Sequence, residues 1–327
     1  MTSTRAPLLV SLVCIFIGGI VSTVAMEKQL SLDASCGPIT VFANAVVSVA
    51  TMASGRVAKR TASIGSVGWV APTIPLRWHA IIALLTFAMA TLSNLSYAHG
   101  VNVPTHVVVK GPIGLPVGMV IGSIFLRKRY SAQHVVAIAL VIGGVACVAG
   151  FHGRSGDDSV GLAMLGASVL MQAVLGALQE TSYARFGRTS AETGEPLWRE
   201  AMFFSSLGSL VLFPLLVGGK LAGSVAIMAA SPIQTAWFLI DVAFCFVGVC
   251  GIYSLTPLTS ALTTTLVIVA RKAITLVISV FLLGSDFNAE QLGGACAVFA
   301  GVSLYAGAPT PRIAARRAPA EKDAKDA

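Results

Sequence analysis

Charge is what this chain has least of. Only 11% of its 327 residues are Asp, Glu, Lys or Arg, while 55% are hydrophobic and the mean hydropathy is +0.83. That balance excludes a soluble globular domain of ordinary composition, and a lipid bilayer is the expected solvent. Acids are scarcer than bases, 14 against 22, for a formal net charge of +8. The bases fall in short clusters between apolar runs and form no single solvated patch, which excludes a nucleic-acid partner. Cysteine pairing is missing too. Of Cys14, Cys36, Cys147, Cys245, Cys250 and Cys296, five lie inside apolar runs and none has a paired ligand spacing. They read as small packing residues, with no disulfide framework and no zinc site. His79, His99, His106, His134 and His152 share no ligand pattern either. No metal and no cofactor is expected, and no group of His, Asp and Glu collects at one membrane face as an enzyme would require.

What the sequence does contain is apolar runs. A membrane-spanning helix needs about 20 mostly apolar residues. Ten runs qualify, approximately 8–26, 37–54, 78–98, 103–126, 133–151, 160–179, 201–219, 236–254, 258–283 and 289–307. The first resembles a secretory signal, with Arg5 ahead of it and small residues from Val21 to Ala25. Its length and the nine runs that follow favour its retention as a span.

The positive-inside rule assigns topology from Lys and Arg in short flanking loops. With a cytosolic N-terminus, the cytosolic segments hold one, four, three, three and five bases, sixteen in all. These are Arg5; Arg56, Lys59, Arg60 and Arg77; Arg127, Lys128 and Arg129; Arg185, Arg188 and Arg199; and Arg312, Arg316, Arg317, Lys322 and Lys325. The opposite side holds three, Lys28, Arg154 and Lys220. Both termini are therefore expected in the cytosol. The three bases that remain, Lys110, Arg271 and Lys272, lie inside spans.

The expected fold is an all-α polytopic membrane protein of ten transmembrane helices, arranged as two inverted five-helix repeats over 1–152 and 153–307. Five spans per half require that repeated halves be inverted in the membrane. FLRKRYSAQHVVAIALVIGGVACVAG from Phe125 aligns with FLLGSDFNAEQLGGACAVFAGVSLYAG from Phe281, matching Ser131, Ala132 and Gly144 to Asn288, Ala289 and Gly301. Two unrelated apolar, glycine-bearing helices align as well as this, so periodicity alone leaves the repeat open. Residues 308–327 turn abruptly polar and read as a disordered cytosolic tail. The loops from Ala53 to Arg77 and from Thr181 to Arg199 read as solvated linkers.

An ionised base near a bilayer centre costs on the order of 2.5 to 3.5 kcal/mol, so three isolated ones cost about 7 to 10 kcal/mol. Snorkelling or pairing with buried acids offers one escape. Of the acids in or near spans, Glu27, Glu180, Glu200, Asp286 and Glu290 sit at span ends, and Asp241 is the one internal candidate. One acid cannot neutralise three cations. The other escape is a water-filled, anion-accepting cavity, because intramembrane ionisable residues are functional by default. A phosphorylated small molecule suits it, with the Arg271 fork holding oxygens bidentately and Lys110 and Lys272 acting as mobile point charges. Around Lys110, Pro112 and Pro116 predict a kinked or unwound span. Gly114, Gly118 and Gly122 also form a small-residue stripe suited to close helix approach.

Hydroxyls at Ser260, Thr263, Thr264 and Thr265 precede the cations by about two turns. They either bond sugar and phosphate oxygens or bond back to their own helix carbonyls. Tyr97, Asn102 and Tyr253 are placed to contact a base, with interfacial anchoring the competing role for the tyrosines. The sequon at Asn94 lies within a span and is discounted.

Together these stretches resemble a family. IPLRWH from Ile74, NLSYAHGVNVPTHVVVKG from Asn94, FLRKRYS from Phe125, LQETSYARFGR from Leu178, LTTTLVIVARK from Leu262 and QLGGACAVFAGVSLY from Gln291 occur in an order that is similar to nucleotide-sugar transporters of the drug/metabolite transporter superfamily. The closest resemblance is to UDP-N-acetylglucosamine and UDP-xylose transporters. It implies a ten-helix antiporter of the Golgi or endoplasmic reticulum that exchanges a cytosolic UDP-sugar for UMP. On that resemblance Lys110, Arg271 and Lys272 match basic substrate-binding positions, and Glu27 matches an acid at the end of the first helix. Lys110 stands where related sequences tend to have Arg, and Leu258 where an acid is often found. A Gly-Ala-Leu-Asn signature of GDP-mannose carriers is missing from the ninth span, which favours uridine. Carriers of GDP-sugars or organic phosphates are the alternative, ahead of a membrane-embedded transferase. A homodimer is compatible with all of these.

Overall fold

The computed structural model describes residues 5–32, 37–53, 57–59, 67–69, 71–99, 110, 114–125, 127–148, 159–189, 194–283, 289–308 and 312–313. Among them are ten helices, one at each predicted apolar run. These are α1 (Arg5–Leu32), α2 (Gly37–Met52), α3 (Leu76–Ala98), α4 (Gly114–Phe125), α5 (Ala132–Val148), α6 (Ser159–Phe186), α7 (Leu197–Ala230), α8 (Pro232–Leu255), α9 (Ala261–Leu283) and α10 (Ala289–Ala306). The segments Arg5–Met26, Leu76–Ser93, Ser159–Phe186 and Pro232–Leu255 are long and apolar enough to cross a membrane. Large apolar side chains face outward along the bundle, among them Leu9, Leu84, Phe125, Val211 and Ile233. A surface of this kind is stable against hydrocarbon and not against water.

Local chemistry explains the turns. Ser231 is the single residue between α7 and α8. Its hydroxyl caps α8 by accepting from the Gln234 N–H, and Pro232 begins that helix where a missing N–H costs nothing. Glu200, in the first turn of α7, accepts from the Thr73 and Ile74 N–H groups at 3.1 and 2.8 Å and lies 3.0 Å from His79 Nε2. One buried carboxylate thus ties the entry of α3 to α7. Around it Ile74, Tyr183, Leu197 and Ala201 form a buried cluster, with Trp78, Phe186 and Trp198 packed against it. The segment between α6 and α7, expected as a loop from Thr181, is consequently shorter, because α6 runs on to Phe186 and α7 starts at Leu197.

Short strands occur where linkers were expected. β1 (Val57–Lys59) pairs antiparallel with β2 (Val67–Trp69) between α2 and α3. β3 (Lys128–Arg129), between α4 and α5, pairs antiparallel with β4 (Arg312–Ile313), so the start of the polar tail is hydrogen-bonded back to the body.

Helix packing follows a regular scheme. α1 packs on α8, α3 on α6, α2 on α7, and α5 on α10; α3 also meets α7, α2 meets α8, and α4 meets α6 and α9. Small residues make the closest crossings. A Cβ on Gly18 would lie 2.5 Å from the Gly248 nitrogen, and one on Gly251 2.8 Å from the Ser11 carbonyl oxygen. At the α5–α10 crossing, a Cβ on Gly144 would meet the Gly294 oxygen at 2.5 Å and the Val298 nitrogen at 2.8 Å. One on Gly301 would meet the Ala137 oxygen at 2.7 Å and the Val141 nitrogen at 3.1 Å. Ala137 and Val141 precede Gly144 by seven and three positions, as Gly294 and Val298 precede Gly301. The contact is isologous, each helix offering the same positions to the other.

Candidate functional site

A cavity of about 380 Å³ lies at the centre of the bundle, walled by α2, α3, α6, α7, α8, α9 and Lys110. That volume is within the range of about 300 to 1,000 Å³ typical of small-molecule sites. Its polar lining comes from positions one or two turns apart on single faces: Asn44 and Ser48 on α2, Gln172 and Gln179 on α6, Ser205 and Ser209 on α7. Tyr253, Thr256, Thr264 and Thr265 complete it. No acid is among the described lining residues, and Lys110 is the cation in the wall.

Lys110 is half-buried and donates to Ser93 Oγ on α3 at 2.6 Å. Lys272 lies within electrostatic range of both Lys110 and Arg271. Adjacent residues on a helix point about 100° apart, and Arg271 faces the other way, toward α1 and α8. A Cβ on Gly19 would overlap its guanidinium, Cys245 is its electrostatic neighbour on α8, and its Nε is buried without a hydrogen-bond partner. Among the described residues no carboxylate is within ion-pair distance of Lys110, Arg271 or Lys272. Asp241, the internal acid that the sequence offered as their partner, instead accepts from Ser22 at 2.6 Å and Gln29 at 3.3 Å, joining α8 to α1.

The hydroxyls divide between the two roles open to them. Thr264 and Thr265 bond back to the Ser260 and Ala261 carbonyls at 3.0 and 2.9 Å, yet both line the cavity. Thr264 also accepts from Thr256 at 3.4 Å. Tyr253 faces inward. It lines the cavity, and its hydroxyl is hydrogen-bonded with Ser205 and Gln179.

The structure therefore gathers Lys110, Tyr253 and Thr264 at one cavity and sets Lys272 within electrostatic range of Lys110, with Arg271 behind on the α1 side. Glu27 and Tyr97 sit on the backbones of α1 and α3, but their side chains lie outside the described residues, as does Asn102 entirely. Sequence reasoning passed over Asn44, Gln172, Gln179, Ser205 and Ser209. The signal was present as amides and hydroxyls recurring at helical spacing within otherwise apolar runs. The amide oxygens of Asn44 and Gln172 are buried and have no partner. The Asn44 nitrogen donates to the Thr40 carbonyl at 3.0 Å, which leaves its oxygen the free end.

Comparison with known proteins agrees with this architecture. A UDP-xylose and UDP-N-acetylglucosamine transporter of Danio rerio is 29% identical over 262 residues, 72% of this chain and 76% of the relative. The nucleotide sugar transporter SLC35B4 of Mus musculus is 27% identical over 261 residues, with the same coverage of 72% and 76%. An endoplasmic reticulum GDP-fucose transporter of Drosophila melanogaster is 23% identical over 332 residues, covering 91% of this chain and 90% of its own. A solved crystal structure superposes with a TM-score of 0.55 over 92% of this chain and 98% of its own, and at 15% identity it shows the shared fold alone. The UAA transporter family model matches residues 7–308, and this chain belongs to that family.

Proposed function

We propose that this chain is a nucleotide-sugar antiporter that carries a UDP-sugar, UDP-N-acetylglucosamine or UDP-xylose, out of the cytosol in exchange for UMP. The observation that carries the reading is the polarity of the central cavity, with the Lys110 ammonium in a wall of hydroxyls and amides and no described acid facing it. Such a site is incomplete without an anion. A diphosphate supplies the charge, while the ribose, base and sugar supply partners for the hydroxyls and amides. Lys110 and Lys272 take the phosphates, Tyr253 and Thr264 the remainder, and Arg271 strengthens the positive field from the α1 side. Glu27, Tyr97 and Asn102 belong to the same proposal through the family resemblance. The names of relatives from Danio rerio and Mus musculus support a nucleotide sugar as the cargo.

Alternating access follows from two inverted repeats, 1–152 and 153–307. Supporting this, the packing partners exchange when each helix is replaced by the one five places along: α1 on α8 becomes α6 on α3, and α3 on α7 becomes α8 on α2. The isologous contact of Gly144 and Gly301 points the same way. By the distribution of Lys and Arg, both termini face the cytosol, and the Golgi or endoplasmic reticulum is the membrane.

The test is uptake into liposomes preloaded with UMP or GMP and offered labelled UDP-N-acetylglucosamine, UDP-xylose, UDP-galactose and GDP-sugars in turn. UMP-dependent uptake of a UDP-sugar is expected, and uptake that ignores the preloaded nucleotide overturns exchange. A GDP-sugar carrier is the second reading, favoured by the Drosophila relative that matches over 91% of this chain. Preference for GMP and a GDP-sugar would establish it instead.

A further inference from the structure

Beside the central cavity is a second, narrow recess of about 30 Å³. It has room for water and for nothing the size of a small-molecule ligand. Gln172, Gly176, Ala261 and Thr265 line both spaces, so the recess adjoins the cavity across a shared wall. Its other wall is Lys128, Tyr130 and Glu180. Lys128 and Tyr130 belong to the α4–α5 connection and Glu180 lies near the end of α6, which places this wall at the end of the bundle that the charge distribution assigns to the cytosol.

One carboxylate holds that wall together. Glu180 takes the Lys128 ammonium on one oxygen, and its other oxygen accepts the Ala261 N–H at 3.1 Å, capping the first residue of α9. Three elements are thereby joined at one point: the α4–α5 connection, α6 and α9. Lys128 is 9% and Glu180 18% exposed, so salt screens the pair little. Behind it, β4 pairs with the strand that carries Lys128. Inside the tie, α4 lies against α9 along its glycine face: a Cβ on Gly118 would be 3.3 Å from Leu262 and one on Gly114 3.9 Å from Thr265. Leu115 of α4 is buried in one cluster with Leu262, Leu266 and Val269 of α9. Parting the pair gives up its attraction but returns both charges to water, so the cost of opening is only the difference between the two. The junction is the polar link between the α4–α5 connection, α6 and α9, and its loss removes that link.

We infer that Lys128 and Glu180 form the gate at this end of the central cavity, with the recess as its closed throat. Cargo enters from this side when the pair parts and α4 swings away from α6 and α9. The inference rests on the carrier reading above, and its test uses accessibility so that the two stand or fall separately.

The full chain, with its six native cysteines replaced by alanine and Ala173→Cys placed in the recess wall, is reconstituted and labelled with a membrane-impermeant maleimide from the side bearing Lys128. Glu180→Gln and Lys128→Met remove the ion pair from opposite ends, and either is expected to speed labelling by about tenfold, equivalent to a 1.4 kcal/mol shift in the open population. Lys128→Arg retains the charge and is expected to label as slowly as the parent. If Glu180→Gln fails to fold, Lys128→Met carries the same test. Equal labelling rates in parent and neutralised variants would overturn the gate and leave the pair a static tie. UMP exchange measured on the same liposomes decides the carrier reading independently, because labelling needs no substrate.

Discussion

The Arg271 guanidinium occupies the notch left by Gly19, where a single added Cβ would overlap it. Next to it, Gly18 lets α1 approach the Gly248 backbone of α8. The two glycines serve different ends. Gly18→Ala is expected to lower stability by about 1–3 kcal/mol through overpacking of two backbones, read as a fall in melting temperature in detergent. Gly19→Ala meets the Arg271 side chain and no backbone, so it is expected to change exchange more than melting. The opposite ranking would show that Arg271 acts in packing and not in the field of the site.

Removing cations from the site tests the charge reading. Lys110→Ala and Lys272→Ala are each expected to cut exchange by about 30-fold or more, since truncating one member of a desolvated charge contact costs about 2–5 kcal/mol. Arg271→Lys keeps the charge but loses the fork, and is expected to retain part of the activity. Initial rates of UDP-sugar uptake at fixed internal UMP measure all three. Full activity in both alanine variants would reject the proposed grip on the diphosphate.

Asp241 is held by Ser22 and Gln29 and meets none of the three cations at ion-pair distance. Asp241→Asn preserves an acceptor and should exchange normally with little change in melting. Asp241→Leu loses both contacts between α8 and α1, each worth about 0.6 kcal/mol by the average for interhelical hydrogen bonds in membranes. Abolished exchange in Asp241→Asn at unchanged melting temperature would instead make Asp241 a counter-ion of the site.

The unpartnered oxygens of Asn44 and Gln172 make a prediction of opposite sign for stability and function. Replacing a buried, unsatisfied polar group by an apolar one of similar size is neutral or stabilising. Asn44→Leu and Gln172→Leu should therefore melt no lower than the parent while their KM for nucleotide sugar rises. Titrating uptake rate against substrate concentration separates KM from the maximal rate, and an unchanged KM in both would remove these amides from the site.

The helices were legible because an apolar helix is a property of local composition. Each of the ten apolar runs holds a helix among the described residues, and the small-residue stripe at Gly114 and Gly118 does face a neighbouring helix, α9. What sequence could not rank were roles that depend on which helix lies opposite. Tyr253 read first as an interfacial anchor and second as a base contact, and only the fold showed that it lines the cavity beside Gln179 and Ser205. Thr264 offered two hydrogen-bonding modes, and its own helix took one while the cavity kept the residue in its wall. Glu180 and Glu200 were mere span-end acids, yet each ties separate elements together through backbone N–H groups and a basic side chain. Asn44 and Gln172 carried no charge to mark them, so their spacing in apolar runs gained meaning only once the fold set them around one cavity.

The sequence by itself determined that the chain lives in a bilayer, where its apolar helices lie and that Lys110, Arg271 and Lys272 fall within apolar runs, because hydropathy and charge act over a single helix. The tertiary structure decided which of those cations meets the cavity. Lys110 lines it, Lys272 lies within electrostatic range of Lys110, and Arg271, one residue before Lys272, faces Gly19 and α8. Two adjacent side chains diverge by about 100° around a helix, so their surroundings are set by the helices on either side and by the glycines that admit them.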